Sequence, residues 1–288
     1  MLSKEIIEKV KQIKEDREKG ASELAIEAIL IIGSLPDISR AKEDKELVCE
    51  LRELRQRLLK LRPEMIAVTN NVFITVDKIL KKYEACPENL KKLIKSTVEK
   101  RIKEYREERL KAVQQAASLI KDKDTVISCS YSSTVCSIFK LIAKQEKKIN
   151  ILVAESRFKD KIYGKILLEK LKPTGHPVKL IPDNMLEESF FSVDVDKVIV
   201  GADSVLIDGS LINGVPTLSL AKIAKKFLIP FYSVCEKVKF DILSCIDREA
   251  KIEPGFDLVP PELITAFVTE DGLIKPEQVL KEIAGINL

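Results

Sequence analysis

Five short apolar runs in the second half of the chain each end on residues able to hold an anion or move a proton. Val126–Ser130 is followed by Tyr131, Ser132, Ser133 and Thr134, and Ile149–Ala154 by Glu155, Ser156 and Arg157. Val178–Ile181 leads to Asp183 and Asn184, and Lys197–Val200 to Gly201, Ala202, Asp203 and Ser204. Phe231–Val234 leads to Glu236, Lys237 and Lys239. A run of hydroxyls at such a turn reads equally as a helix cap and as a phosphate cradle. Arg157 reads as a surface residue, as a phosphate ligand or as the partner of Glu155. Asp203 fits a turn or cap as well as a ligand site. Asp183-Asn184 reads as a turn, and His176 as a surface residue in a loop. The chain has no G-x-G-x-x-G and no G-x-x-x-x-G-K-[ST], which argues against a dinucleotide fold of that type and against a P-loop nucleotidase.

These polar ends need a scaffold that brings them together. Strand-like runs alternating with helical stretches at about Thr134–Lys144, Tyr163–Lys172 and Thr217–Phe227 specify parallel strands with right-handed crossovers. The fold class expected is therefore α/β, with a Rossmann-like, doubly wound sheet over residues 122–288. Ligands of such sheets sit beyond the carboxyl ends of the strands, where helix N-termini converge.

Residues 1–121 follow a different pattern. Leu2, Ile6, Val10 and Ile13 recur at helical spacing, as do Leu47, Leu51, Leu54, Leu58 and Leu61, so this part is expected to be a helical N-terminal domain. Gly33 and Pro36 read as punctuation between helices, and Pro63 and Pro87 as first-turn residues. The periodicity from Pro87 to about Ile120 predicts one long helix that links the domains.

Composition narrows the class further. Hydrophobic residues make up 45% of the 288 residues, enough for a packed core, and charged residues 33%. A net charge of +4 from 49 basic and 45 acidic residues does not announce a nucleic-acid binder. The cysteines are Cys49, Cys86, Cys129, Cys136, Cys235 and Cys245. None forms a C-x-x-C pair and there is one histidine, so free thiols in a reducing cytoplasm are expected, with no metal site and no cofactor. Charges throughout the first twenty residues speak against a signal peptide, and no apolar stretch is long enough to span a bilayer.

Beyond pattern, the chain resembles a known family. Gly201-Ala202-Asp203-Ser204-Val205 with Asp208-Gly209 and Asn213, then Ile229-Pro230-Phe231-Tyr232 and Lys239-Phe240-Asp241, match its motifs. So do Phe256–Thr265, Glu155-Ser156-Arg157 with Gly164, Lys19-Gly20-Ala21, and Arg62-Pro63 with Asn70. The family resembled is that of the alpha, beta and delta subunits of translation initiation factor 2B, and the likeness is greatest to archaeal alpha-type members. It also contains ribose-1,5-bisphosphate isomerase and methylthioribose-1-phosphate isomerase. The resemblance implies a pocket for sugar phosphates or nucleotides between the domains. It also implies a homo-oligomer, at least a dimer. Gly20, Ala21, Arg62, Ser132, Ser133, Glu155, Arg157, Asp203, Asn213 and Lys239 are the ligand-binding residues it suggests.

Two departures bear on activity. The isomerases resemble one another in a catalytic cysteine after the first strand, which falls here on Ser130, and in an aspartate matching Asp203. A hydroxyl is a far weaker acid than a thiol. Cys129 is expected to point away, because neighbouring strand residues face opposite sides. The family's Asn-Lys-x-Gly-Thr block reads Asn213-Gly214-Val215-Pro216-Thr217, without the lysine. The expected function is thus an alpha-type regulatory subunit. It would bind a phosphorylated metabolite and contact the initiation machinery, with translation initiation factor 2 as a candidate partner. The alternatives are a sugar-phosphate isomerase acting through Asp203 and Ser130, and a purely structural subunit.

Overall fold

The computed structural model describes residues 2–87, 89–242 and 252–285; Cys245 lies outside the described residues. The chain forms two compact units that divide between Glu107 and Glu108.

The first unit is helical: α1 (Lys4–Glu15), α2 (Ala21–Ile38), α3 (Asp44–Leu58), α4 (Ile66–Ala85) and the first part of α5 (Leu90–Ser118). The apolar spacing explains the packing. Ile6, Val10 and Ile13 of α1 are buried, as are Leu47, Leu51, Leu54 and Leu58 of α3. Ser3 caps α1 by accepting from the Ile6 N–H, which satisfies one orphan donor of the first turn.

Gly33 and Pro36 do not separate helices: both lie inside α2. A Cβ on Gly33 would come 2.8 Å from Val98 Cγ1, so this glycine allows α2 and α5 to approach closely. Pro36 sits in the last turn, where it withholds one N–H from the preceding turn, and the helix closes two residues later at Ile38. Pro63 and Pro87 precede the first turns of α4 and α5 rather than occupying them.

The second unit begins within α5 and continues with β1 (Thr125–Ser128), α6 (Ser133–Lys144), β2 (Asn150–Ala154), β3 (Arg157–Phe158), β4 (Lys161–Ile162), α7 (Tyr163–Leu171) and β5 (Val178–Ile181). Then follow α8 (Leu186–Ser192), β6 (Lys197–Val200), β7 (Ser204–Val205), β8 (Leu211–Gly214), α9 (Thr217–Lys226) and β9 (Phe231–Val234). The chain closes with β10 (Phe256–Val259), β11 (Ala266–Thr269), β12 (Gly272–Ile274) and α10 (Val279–Ala284).

Seven strands form the central sheet in the order β12-β11-β9-β6-β1-β2-β5. All pair in parallel except β12, which turns back on β11. Alternation along the strands feeds two cores. Val126, Ile151 and Val153 pack with α6, α7 and the end of α5, while Ile127, Leu152 and Ala154 pack with α8, α9 and α10. The sheet is therefore doubly wound, as the pattern predicts. A small antiparallel sheet, β10-β8-β7, was not foreseen; its strands are two to four residues long and carry no alternation to read. No described helix is long and apolar enough to cross a membrane.

Candidate functional site at the strand ends

The strand order places the site. From β1 the chain winds outward through β2 to β5, then returns to β6 and winds the other way through β9 to β11. β1 and β6 are neighbours, so the loops leaving them diverge and open a crevice at the carboxyl end of the sheet. Those loops carry Cys129 to Ser132 on one side and Gly201 to Asp203 on the other. They approach closely because residue 201 lacks a side chain: a Cβ there would lie 2.6 Å from Ser132 Oγ.

Ser132 is the helix cap among the hydroxyls, its Oγ accepting from the Val135 N–H at 3.3 Å. Ser133 opens α6, and its carbonyl accepts from Arg109 at 3.0 Å. Thr134 is buried, with Oγ1 at 3.5 Å from Glu236. Glu236 is itself fully buried and lies 3.6 Å from the Lys239 ammonium. Lys239 donates to the Ala202 carbonyl at 2.9 Å. A buried cation thus sits directly beneath the Gly201-Ala202-Asp203 turn.

Asp203 donates its N–H to the Ile212 carbonyl at 3.0 Å, which ties the β6 turn to β8. Next along β8, Asn213 donates its amide to Thr217 Oγ1 at 2.9 Å. The Thr217 hydroxyl donates in turn to the Gly214 carbonyl at 2.5 Å. Cys129 Sγ lies 3.2 Å from the same oxygen. Thr217 has one proton to give and gives it to Gly214, so the Cys129 thiol is the donor in this contact. Asp257, opposite Asn213 in the β10–β8 ladder, accepts from the Leu218 N–H at 3.0 Å and caps α9.

Cys129 corrects the expectation that it turns away from Asp203. Cys129 packs in the same core cluster as Ile127, two residues before it, so alternation holds, and that face is the one Ala202 also packs against. The thiol faces inward, fully buried, within electrostatic reach of Asp257, Asp183 and Asp203. Burial, the largest cause, pushes its pKa up to about 12; a hydrogen bond that the thiolate would take from Thr217 opposes it, and Asp257, Asp183 and Asp203 each add a lesser upward push. It is a neutral core thiol at physiological pH.

Ser130, at the position of the isomerases' cysteine, is half-buried at the mouth of β8. A Cβ on Gly214 would lie 3.1 Å from its Oγ. Its N–H donates to Ser156 Oγ at 2.6 Å. Asp183, expected to be a simple turn residue, reaches across the loops: its carboxylate accepts from the Ser156 and Arg157 N–H groups, each at 2.8 Å. The Arg157 side chain is exposed and pairs with Glu155 at 3.3 Å. His176 is half-buried before β5.

In the helical unit, Gly20 is the N-cap of α2 and Ala21 its first residue. Arg62 is buried. Its Nε meets Glu64 at 2.5 Å and Nη1 donates to the Asp16 carbonyl at 2.8 Å. The Asp16 carboxylate accepts from the Glu18 and Lys19 N–H groups at 2.8 Å. Arg62 is thereby tied to the turn that leads into Gly20.

In the strand-end unit, therefore, Asp203, Asn213, Ser130, Ser132 and Lys239 gather around the β1, β6 and β8 ends. Arg157 with Glu155 is held to the β5 turn through Asp183. Ser156, Asp183, Thr217 and Asp257 complete the arrangement; sequence reasoning did not assign them roles. Each makes its contact with a partner at least 26 residues away, apart from Thr217 with Asn213, and spacing carries no signal of that.

Comparison with known proteins agrees with this architecture. A family model described as the initiation factor 2 subunit family matches residues 17–255. The chain is 28% identical to the ribose 1,5-bisphosphate isomerase of Pyrococcus furiosus, over 99% of this chain and 96% of that protein. It is also 28% identical to an eIF-2B subunit 2-like protein of Pyrococcus horikoshii, over 96% of this chain and 98% of that one. The crystal structure of translation initiation factor eIF-2B from Pyrococcus horikoshii superposes with a TM-score of 0.81 at 24% identity, covering 97% of this chain and all of that one.

Proposed function

Because the chain belongs to the initiation factor 2 subunit family, we propose that it binds a phosphorylated sugar at the β1–β6 strand ends and interconverts its aldose and ketose forms. Ribose 1,5-bisphosphate is the first substrate to test. Several relatives named for that isomerase align over 95% or more of this chain. They favour this reading over the regulatory subunit expected from sequence.

What supports it is the Asp203 turn, held to β8 next to Asn213 by the bond from the Asp203 N–H to the Ile212 carbonyl, with the buried Lys239 ammonium under the same turn. Converting the cyclic aldose phosphate to the ketose breaks the bond between C1 and the ring oxygen, its electron pair going to oxygen, and moves a hydride from C2 to C1. The proton of the C2 hydroxyl leaves, and the ring oxygen gains one as the ring opens. Asp203 takes the hydroxyl proton as base and, once protonated, is the acid that can return it to the ring oxygen. The Lys239 charge favours an anionic substrate. Ser130 supplies a hydroxyl where the isomerases have a thiol, so turnover is expected to be slow.

The test is formation of ribulose 1,5-bisphosphate from ribose 1,5-bisphosphate in a coupled assay. Turnover that falls by about a hundredfold or more in Asp203→Asn supports the reading. Turnover unchanged in that variant refutes it.

One observation favours a second reading. With Ser130 in place of the thiol and Cys129 locked as a neutral core group, the site suits binding without chemistry. The chain would then be a regulatory, homo-oligomeric subunit of the initiation factor 2B type, sensing a sugar phosphate or nucleotide and contacting initiation factor 2. Calorimetric binding of ribose 1,5-bisphosphate with no product formed selects this reading.

A further inference from the structure

We propose that Ser156 and Asp183 are positioning residues, which together hold Ser130 in the conformation that aims its hydroxyl into the strand-end site. The inference rests on the reading of that site as the place of sugar-phosphate chemistry.

The three residues leave three adjacent strands. Ser130 follows β1, Ser156 follows β2 and Asp183 follows β5, which are neighbours in that order. A hydrogen-bonded chain runs across them. Asp183 uses both carboxylate oxygens, Oδ1 on the Ser156 N–H and Oδ2 on the Arg157 N–H, each at 2.8 Å. This holds Ser156 at φ 53°, a left-handed conformation that is strained for a non-glycine residue. In that conformation the Ser156 hydroxyl is fully buried and turned along the sheet edge. It donates to the Ala154 carbonyl at 3.3 Å and accepts the Ser130 N–H at 2.6 Å.

Ser130 is the second left-handed residue of the chain, at φ 58°. Its N–H is the anchor that keeps it there. Released from Ser156, residue 130 relaxes toward extended backbone and its Oγ swings away from the Asn213–Gly214 end of β8. Two strained residues joined through the buried Ser156 hydroxyl at the switch point of the sheet are what a preorganised site requires. Asp183 acts through Ser156, and Ser156 through Ser130; neither is placed to touch substrate.

Full-length protein carrying Ser156→Gly or Asp183→Asn tests the proposal. Glycine accepts φ 53° without strain, so Ser156→Gly removes the hydroxyl while leaving the backbone content, and it guards against a folding defect in the second variant. Two readouts are taken: hydrogen exchange of the Ser130 amide without ligand, and kcat and KM with ribose 1,5-bisphosphate. The expected result is Ser130 exchange at least about tenfold faster in both variants. With it kcat should fall by about tenfold or more, at a KM changed by less than about threefold. Ser130 protection unchanged in Ser156→Gly overturns the proposal, as does faster exchange with unchanged kcat. Absence of turnover in the parent protein refutes the isomerase reading instead, and the exchange measurement still decides whether Ser156 and Asp183 hold Ser130.

Discussion

Cys129 should be almost inert to alkylation in the native protein, although it lies among the carboxylates of the candidate site. The thiolate is the reactive species. An ordinary exposed thiol, with a pKa of about 8.5, is about 9% thiolate at about pH 7.5. With its pKa pushed up to about 12, Cys129 is thiolate to only about 3 parts in 100,000 by the same relation. The ratio predicts alkylation about three thousandfold slower than that of an exposed thiol. Burial of the sulfur adds a further barrier to the reagent, while the greater nucleophilicity of a high-pKa thiolate offsets part of the ratio. Cys49 and Cys86 are exposed and serve as internal references. The assay is iodoacetamide labelling of folded protein with site-resolved mass spectrometry. Ser130→Cys gives the contrast: residue 130 is half-buried, and a thiol there should label within about tenfold of the references. Labelling of Cys129 at a rate within about tenfold of Cys49 or Cys86 would refute the assignment of a neutral core thiol. It would make Cys129, rather than Ser130, the heir to the isomerases' cysteine.

Two further predictions concern buried charge. Burial raises the Glu270 carboxyl to about 7; Glu108 and Glu236 repulsion adds to this, against N–H bonds from its own backbone and Lys237. The folded state therefore holds this proton more tightly than the unfolded chain. Its contribution to stability is complete below the ordinary value of 4.5 and is lost as pH rises to about 7, a loss of up to about 3 kcal/mol. Denaturant unfolding of Glu270→Gln should lose that slope and leave the variant more stable than the parent above about pH 8; an unchanged slope refutes the assignment. In the helical unit, Arg62→Ala should cost about 3–5 kcal/mol by removing the cation beside the buried Glu64 carboxylate. Adding Glu64→Gln should recover part of the loss, and chemical denaturation that shows no recovery would contradict the pairing.

The scaffold was legible in the sequence because its strands are apolar runs bounded by turns and its helices keep one apolar face. Strands β1, β2, β5, β6 and β9 and the helices α6, α7 and α9 fall within a residue or two of their expected limits. Gly33 and Pro36 misled because residue type cannot tell a break from a close contact: what matters is Val98, on another helix. Cys129 misled for a related reason. Alternation puts Cys129 on the Ile127 face, as found, but does not say that this face meets Ala202 and the Asp203 turn. At the site, strand-end position alone marked Asp203, Ser132 and Lys239. The links from Asp183 to Ser156 to Ser130 were not legible, since they join loops distant in sequence and depend on two left-handed residues that no local pattern announces.

A crystal structure of the protein with ribose 1,5-bisphosphate is the most direct test of where the chemistry takes place. The sugar should lie across the carboxyl ends of β1 and β6, with C1 and C2 bearing oxygens within about 3.5 Å of the Asp203 carboxylate and the Ser130 hydroxyl. Density for the sugar at another surface, with these two residues untouched at saturating ligand, would contradict the account.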